Sequence, residues 1–210
     1  MTEESKFLEA VKKLRENKKE RKFDQTIDLI VNLKEFDVRK NSFTLFVGLP
    51  KKFKDKKIGA FFEKDSDLVE SIKKDNFVKY KEKKDIKKLT RTYDSFIANA
   101  KLMPAVATSF GRILGPAGKM PSPQLGIVAS EDSETVKKLI DKVNKTVRVT
   151  VKEASVKLGI AKEGLSDEDI VENAIAAYHK IVETLPKNKD NVKDVKIKLT
   201  MGKPVKVDVK

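Results

Sequence analysis

Val195-Lys-Ile-Lys-Leu-Thr-Met-Gly-Lys-Pro-Val-Lys-Val-Asp-Val209 contains two runs of strict alternation, Val195/Ile197/Leu199 and Val205/Val207/Val209, around a Met-Gly-Lys-Pro turn. Alternation puts every second side chain on one face, so each run reads as a half-buried strand and the pair as a hairpin. Such a hairpin, apolar on one side and wet on the other, needs antiparallel neighbours. The same alternation recurs near the other end of the chain at Ile27, Leu29, Val31 and Leu33, with a further strand at 43–47 after a polar turn at 37–42. Both chain ends are therefore expected to share one sheet.

The middle of the chain has a different character. Leu49-Pro50 closes the first alternating unit, and a basic connector follows at 51–57. Then come short apolar strands and helical patterns in turn. Strands are expected at 58–62, 77–80, 95–98 and 126–129, and helices at 67–74, 83–92, from about 101, and at 134–144. Strands alternating with helices imply crossovers and a largely parallel sheet covered on both faces. Beyond 150 the earlier style returns, with a strand at 155–159 and a helix to about 184. That helix is announced by Ser166-Asp-Glu-Asp169, a capping box with Asp in place of Glu or Gln. The first helix, from Glu3 to about Lys19, carries Phe7, Leu8, Val11 and Leu14 on one face. The fold class is mixed α/β (α+β) with two domains: a split antiparallel domain of 1–56 and 151–210, and an inserted Rossmann-like βα domain of 57–150.

The chain has 210 residues, 46 Lys and Arg against 32 Asp and Glu, and a formal net charge of +14. The excess is +6 in residues 1–57, +6 in 58–150 and +2 in 151–210, so it belongs to folded segments and not to a basic tail. A large basic balance points to nucleic-acid phosphate, although abundant Lys among acids is also what an ion-paired surface looks like. With no Cys there is no disulfide, thiol nucleophile or cysteine metal site, and a reducing compartment fits. No run of about 20 apolar residues occurs to span a membrane. Met1-Thr-Glu-Glu lacks a signal-peptide pattern, so a soluble cytoplasmic protein is expected.

Gly111-Arg-Ile-Leu-Gly-Pro-Ala-Gly-Lys-Met-Pro-Ser-Pro123 is read as a rigid loop offering Arg112, Lys119 and main-chain amides to an anion. It is not a P-loop. Gly118-Lys119 is followed by Met120, and Ile113 stands where the first glycine belongs. The lone His179 reads as a partly buried helix residue, and Asp167-Glu-Asp169 is explained by capping and the helix dipole. An enzyme, or a DNA-binding protein without helix-turn-helix or zinc-finger signature, remains as an alternative class.

The glycine stretch, the entry Arg21-Lys-Phe-Asp-Gln-Thr26 and the terminal Thr200-Met-Gly202 occur together and in order. In this combination the chain resembles the L1 family of large-subunit ribosomal proteins over essentially its whole length, and archaeal members more than bacterial ones. The resemblance implies a first domain from both termini and a hinged Rossmann-like insertion. It also implies binding to the stalk region of large-subunit rRNA near the tRNA exit site, and contact with exit-site tRNA as it leaves. Repression of translation through the protein's own mRNA leader is implied as well, with a free monomer, no cofactor, no metal and no catalytic centre. The implied RNA contacts are Lys22, Phe23, Thr26, Thr200, Met201, Gly202 and Lys203, with Arg112, Gly115, Gly118 and Lys119 in the inserted domain. Lys203-Pro204 departs from the family by setting the proline one place later. From the residues alone, Phe23 and Met201 also fit as core at strand ends, and Lys18, Lys19, Arg21 and Lys22 as cations ending a helix.

Overall fold

The computed structural model describes residues 2–209 except Glu20, Phe53, Asp67 and Lys81, and describes Val78 and Lys79 by their backbone alone. In chain order the strands are β1 Thr26–Leu33, β2 Phe43–Gly48, β3 Ile58–Phe61, β4 Glu70–Ser71, β5 Ser95–Asn99, β6 Ile127–Val128, β7 Thr146–Val151, β8 Ser155–Lys162, β9 Val192–Leu199 and β10 Val205–Val207. The helices are α1 Glu3–Glu16, α2 Val38–Asn41, α3 Lys83–Thr92, α4 Met103–Leu114, α5 Ser133–Lys145 and α6 Asp167–Thr184. They form two compact units, Met1–Lys54 with Lys145–Lys210, and Asp55–Asn144.

In the first unit the alternating runs do what their period requires. A four-stranded sheet has the order β10-β9-β1-β8, with β1 antiparallel to both neighbours. Leu29 sits opposite Leu158 on one side and Ile197 on the other. Every second residue of β1 is buried, so a one-residue slip would turn the whole apolar set to water. Helices α1 and α6 contribute to the same core, where Phe7 meets Tyr178 at a ring separation of 6.1 Å. Ser166 caps α6 by accepting from Asp169 N at 3.2 Å.

Two details differ from the sequence reading. Residues 146–151, placed by the sequence reading at the end of the inserted domain, form strand β7, paired antiparallel with β2 in a separate ribbon. The second segment of this unit therefore starts at Lys145 and not near 151. The polar turn at 37–42 closes into a single helical turn because the Asp37 carboxylate accepts from Arg39 N at 3.0 Å.

The second unit is a parallel sheet of order β4-β3-β5-β6. Apolar clusters lie on both faces, one containing Phe61, Phe96 and Phe110, the other Ala60, Ile97 and Val136. That is why β3 is buried at every position. The helix expected at 67–74 is replaced by the short edge strand β4, with Ile72 N donating to Ala60 O at 2.7 Å; Asp67 itself lies outside the described residues. The strand expected at 77–80 is part of a 3₁₀ helix, Lys74–Tyr80. Its i, i+3 eclipse puts Phe77 and Tyr80 together against Phe110, at 4.9 and 6.0 Å. The period of three, not two, governs these aromatics.

Candidate nucleic-acid interface

In the first unit, β1 begins beside the β9–β10 turn. Thr200 N and Thr200 Oγ1 both donate to Thr26 O, at 3.0 and 3.1 Å, and Thr26 N donates to Thr200 Oγ1 at 3.1 Å. Met201 N donates to the Oε1 of Gln25, a side chain almost wholly buried. The turn closes with Gly202 N donating to Leu199 O at 2.9 Å, before Pro204, so the displaced proline leaves that bond intact. A Cβ at Gly202 would stand 3.1 Å from Leu199 Cβ, so packing of the turn itself favours glycine there. These bonds hold the backbone and leave two large apolar side chains outside. Met201 is 62% exposed and Phe23 53%.

Cations surround this pair. One cleft of about 560 Å³ is lined by Lys18, Lys19, Arg21, Met201 and Lys203 among others, and a second by Arg15, Lys18, Arg21, Lys22 and Phe23. Not all of that charge is available. Arg15 pairs with Asp167, and Lys18 pairs with Glu163, holding that carboxyl below its usual range. Lys19, Arg21, Lys22 and Lys203 take part in no ion pair among the described residues. Thr200 spends its one proton on Thr26 O, so it retains a single lone pair for an outside donor.

The glycine stretch of the second unit has a different geometry from the expected one. Its first part, to Leu114, is the end of α4. Gly118, at φ 70°, then ends the helical turns: Gly118 N donates to Gly115 O at 2.9 Å and Lys119 N to Leu114 O at 3.0 Å. This is a Schellman cap, whose left-handed residue is best supplied by glycine. A Cβ at Gly115 would lie 2.8 Å from Gly111 O. The amides of Gly115, Ala117, Gly118 and Lys119 are thus consumed internally, and a helix C-terminus carries partial negative charge that repels phosphate. Lys119 is committed too. Its ammonium donates to Thr90 O and Tyr93 O, both at 2.7 Å, closing the carboxyl end of α3. Of the two cations expected to face a ligand, Arg112 remains exposed, whereas the Lys119 ammonium is held by the two carbonyls.

The model of the Ribosomal protein L1p/L10e family matches residues 14–203. The chain belongs to the L1 family of ribosomal proteins. It is similar to the large ribosomal subunit protein uL1 of Thermococcus kodakarensis, with 37% identity over 97% of each chain. The corresponding protein of Nanoarchaeum equitans is 38% identical over 95% of this chain and 98% of its own. That of Methanobrevibacter smithii is 34% identical over 99% and 100%. The archaeal likeness extends over nearly the whole length.

Membership in this family of non-enzymes disposes of the catalytic alternative, and the side chains give that a physical sense. His179 of this L1-family chain is not partly buried but exposed, paired with Glu3 at 3.1 Å across helices α6 and α1. The carboxyl ends of β3 and β5 form the switch point where open α/β sheets bind ligands. Here Glu131 fills that place, accepting from Glu63 N and Lys64 N at 3.0 Å and from Asn99 Nδ2 at 2.7 Å. Burial raises its pKa, but these hydrogen bonds outweigh burial and hold the carboxyl below its usual range. A phosphate at that crevice would meet a carboxylate. No described helix is long and apolar enough to cross a membrane, and no group of three or more His, Asp or Glu among the described residues is placed to hold a metal.

Gln25 is the site residue that the sequence does not reveal, since a polar residue before an alternating strand gives no sign that it will be buried. Lys119 has a checkable consequence. Lys119→Met should destabilise the second unit by about 1–3 kcal/mol through loss of charged hydrogen bonds to carbonyls, seen as faster hydrogen exchange at the end of α3. RNA affinity should stay within about twofold of wild type. A large affinity loss without faster exchange would return Lys119 to the RNA-contact set.

Proposed function

We propose that this chain is a protein of the large ribosomal subunit that binds a structured segment of the large-subunit rRNA, the stalk beside the tRNA exit site, through its first unit. The observation that carries the reading is the exposure of Phe23 and Met201 on neighbouring loops among unpaired cations. Exposed large apolar side chains are costly on a free protein and are expected where a partner covers them. RNA suits this place because apolar surface packs against ribose and base while Lys19, Arg21, Lys22 and Lys203 meet phosphates. Gly202 keeps the turn low, so the backbone can approach a shallow minor groove, and Thr200 positions the turn on Thr26. The reading carries with it a cytoplasmic ribosomal location and assistance to departing deacylated tRNA by a second unit that moves on its two connections. Repression of its own mRNA follows if the leader imitates the same rRNA shape.

The test is binding to a stalk rRNA fragment and to duplex DNA of equal length across a salt series. The expected result is a clear preference for the rRNA fragment and an affinity that falls steeply with salt. Equal binding to both would mean that charge alone is at work and would overturn the reading.

A further inference from the structure

Helix α3 reads Lys83-Lys-Asp-Ile-Lys-Lys-Leu-Thr-Arg-Thr92. At about 100° per residue, Lys83, Lys84, Lys87, Lys88 and Arg91 fall within an arc of about 140°. Ile86 and Leu89 face the opposite way, into the core with Phe110 and Val106, and Asp85 falls outside the cationic arc. The five cations enter no ion pair among the described residues. Elsewhere the protein neutralises helical lysines locally, as in Lys13 with Glu9 and Lys180 with Glu183. On α3 the i, i+4 neighbours are instead like charges, which destabilise a helix. Lys83 and Lys84 also stand in the first turn, where the helix dipole disfavours cations. Folding explains Arg91 near the carboxyl end and explains neither of these. A solubility role would be served as well by cations spread around the exposed surface.

We infer that the cationic face of α3 is a second docking surface, which grips the phosphate backbone of double-helical RNA without reading its sequence. The inference rests on the RNA-binding reading of the first unit. Its arc holds no aromatic side chain for base stacking, so contact is to the backbone. From Lys83 to Arg91 it runs about 12 Å, a length over which one strand of a duplex presents roughly three phosphates. The Schellman-capped glycine stretch then acts as a brace, since through Lys119 it locks the carboxyl end of this helix and holds the face rigid. In this second unit the phosphate grip comes from the helix, not from the loop.

The test uses the full chain and two probes, the stalk rRNA fragment and an RNA duplex of about 20 base pairs with arbitrary sequence. Three variants are compared with wild type. The first is Lys83→Gln/Lys84→Gln/Lys87→Gln/Lys88→Gln, which keeps helix propensity and relieves repulsion. The second, Lys157→Gln/Lys180→Gln/Lys187→Gln/Lys206→Gln, lowers net charge equally at lysines paired with acids. The third is Met201→Asp. The α3 variant should lose about tenfold or more in affinity for both probes, with its salt slope reduced by about 2–4, while the control loses far less. Met201→Asp should lose affinity selectively for the rRNA fragment. An α3 variant that binds both probes like wild type, or a control that loses as much, overturns the inference. Failure of wild type to prefer the rRNA fragment over duplex DNA would instead overturn the reading on which it rests.

Discussion

Met201→Asp should weaken binding to the stalk rRNA fragment by about ten- to a hundredfold while leaving the fold untouched, since a well-made RNA contact is worth about 1–3 kcal/mol. Folding is spared because the side chain is 62% exposed and only its backbone is held, through Met201 N and Gln25. Binding suffers twice: the apolar contact is lost, and a carboxylate is brought against phosphates within the same cleft as Lys18, Lys19 and Lys203. Met201→Leu separates the two effects, since it keeps the apolar surface and should retain most of the affinity. The measurement is a titration of each variant at fixed salt, with circular dichroism to confirm the fold. Equal affinities for wild type and Met201→Asp would remove the β9–β10 turn from the interface and leave Phe23 and the basic loop to account for it.

The parts of this fold written in the sequence are those whose periods arise locally. Ile27, Leu29, Val31 and Leu33 alternate because β1 is central and half buried, and Val195, Ile197 and Leu199 alternate for the same reason beside it. β7 also alternates, at Val147, Val149 and Val151, yet it starts directly after α5 with no turn residue between. Nothing local assigns it to the first unit and not to the inserted domain; its partner is β2, about a hundred residues earlier. The site divides in the same way. That Thr26 and Thr200 come together follows from pairing both chain ends, and the family resemblance names the same residues. Phe7 and Phe23 are both apolar residues near the N-terminus, and only packing makes one fully buried and the other exposed. The glycine stretch was legible as special but not as to its purpose. A loop that binds phosphate and a helix that ends in a Schellman cap use the same residues, and Lys119 finds its carbonyl partners on a helix some thirty positions upstream.

Asn173 is a point where loss of one buried polar side chain should weaken the first unit. The side chain is fully buried on α6, and its Oδ1 accepts from Lys51 N at 2.9 Å. Its Nδ2 donates to Lys51 O at 3.0 Å and to Ile160 O at 2.9 Å. One amide thus acts as a strand partner for the chain leaving β2 and ties it to β8. The Lys51 ammonium adds a hold on the same helix through Asp169 and Glu172. Asn173→Leu conserves the volume and gains apolar transfer energy, but it strands the Ile160 carbonyl in the core and strips Lys51 of both its backbone partners. An abandoned buried polar group costs about 1–3 kcal/mol, and Lys51, being exposed, can recover some of its loss from water. The net expectation is a destabilisation of about 2–3 kcal/mol for Leu, and more for Asn173→Ala, which adds a cavity. Hydrogen exchange reports the two units separately and should show the loss in β1, β8 and α6 while α3–α5 keep wild-type protection. Trypsin should also cut sooner after Lys51 in both variants, because α6 no longer holds that backbone. If Asn173→Leu matched wild-type protection, the three hydrogen bonds would be replaceable by water and packing, and Asn173 would be no more than a tolerated polar residue in the core.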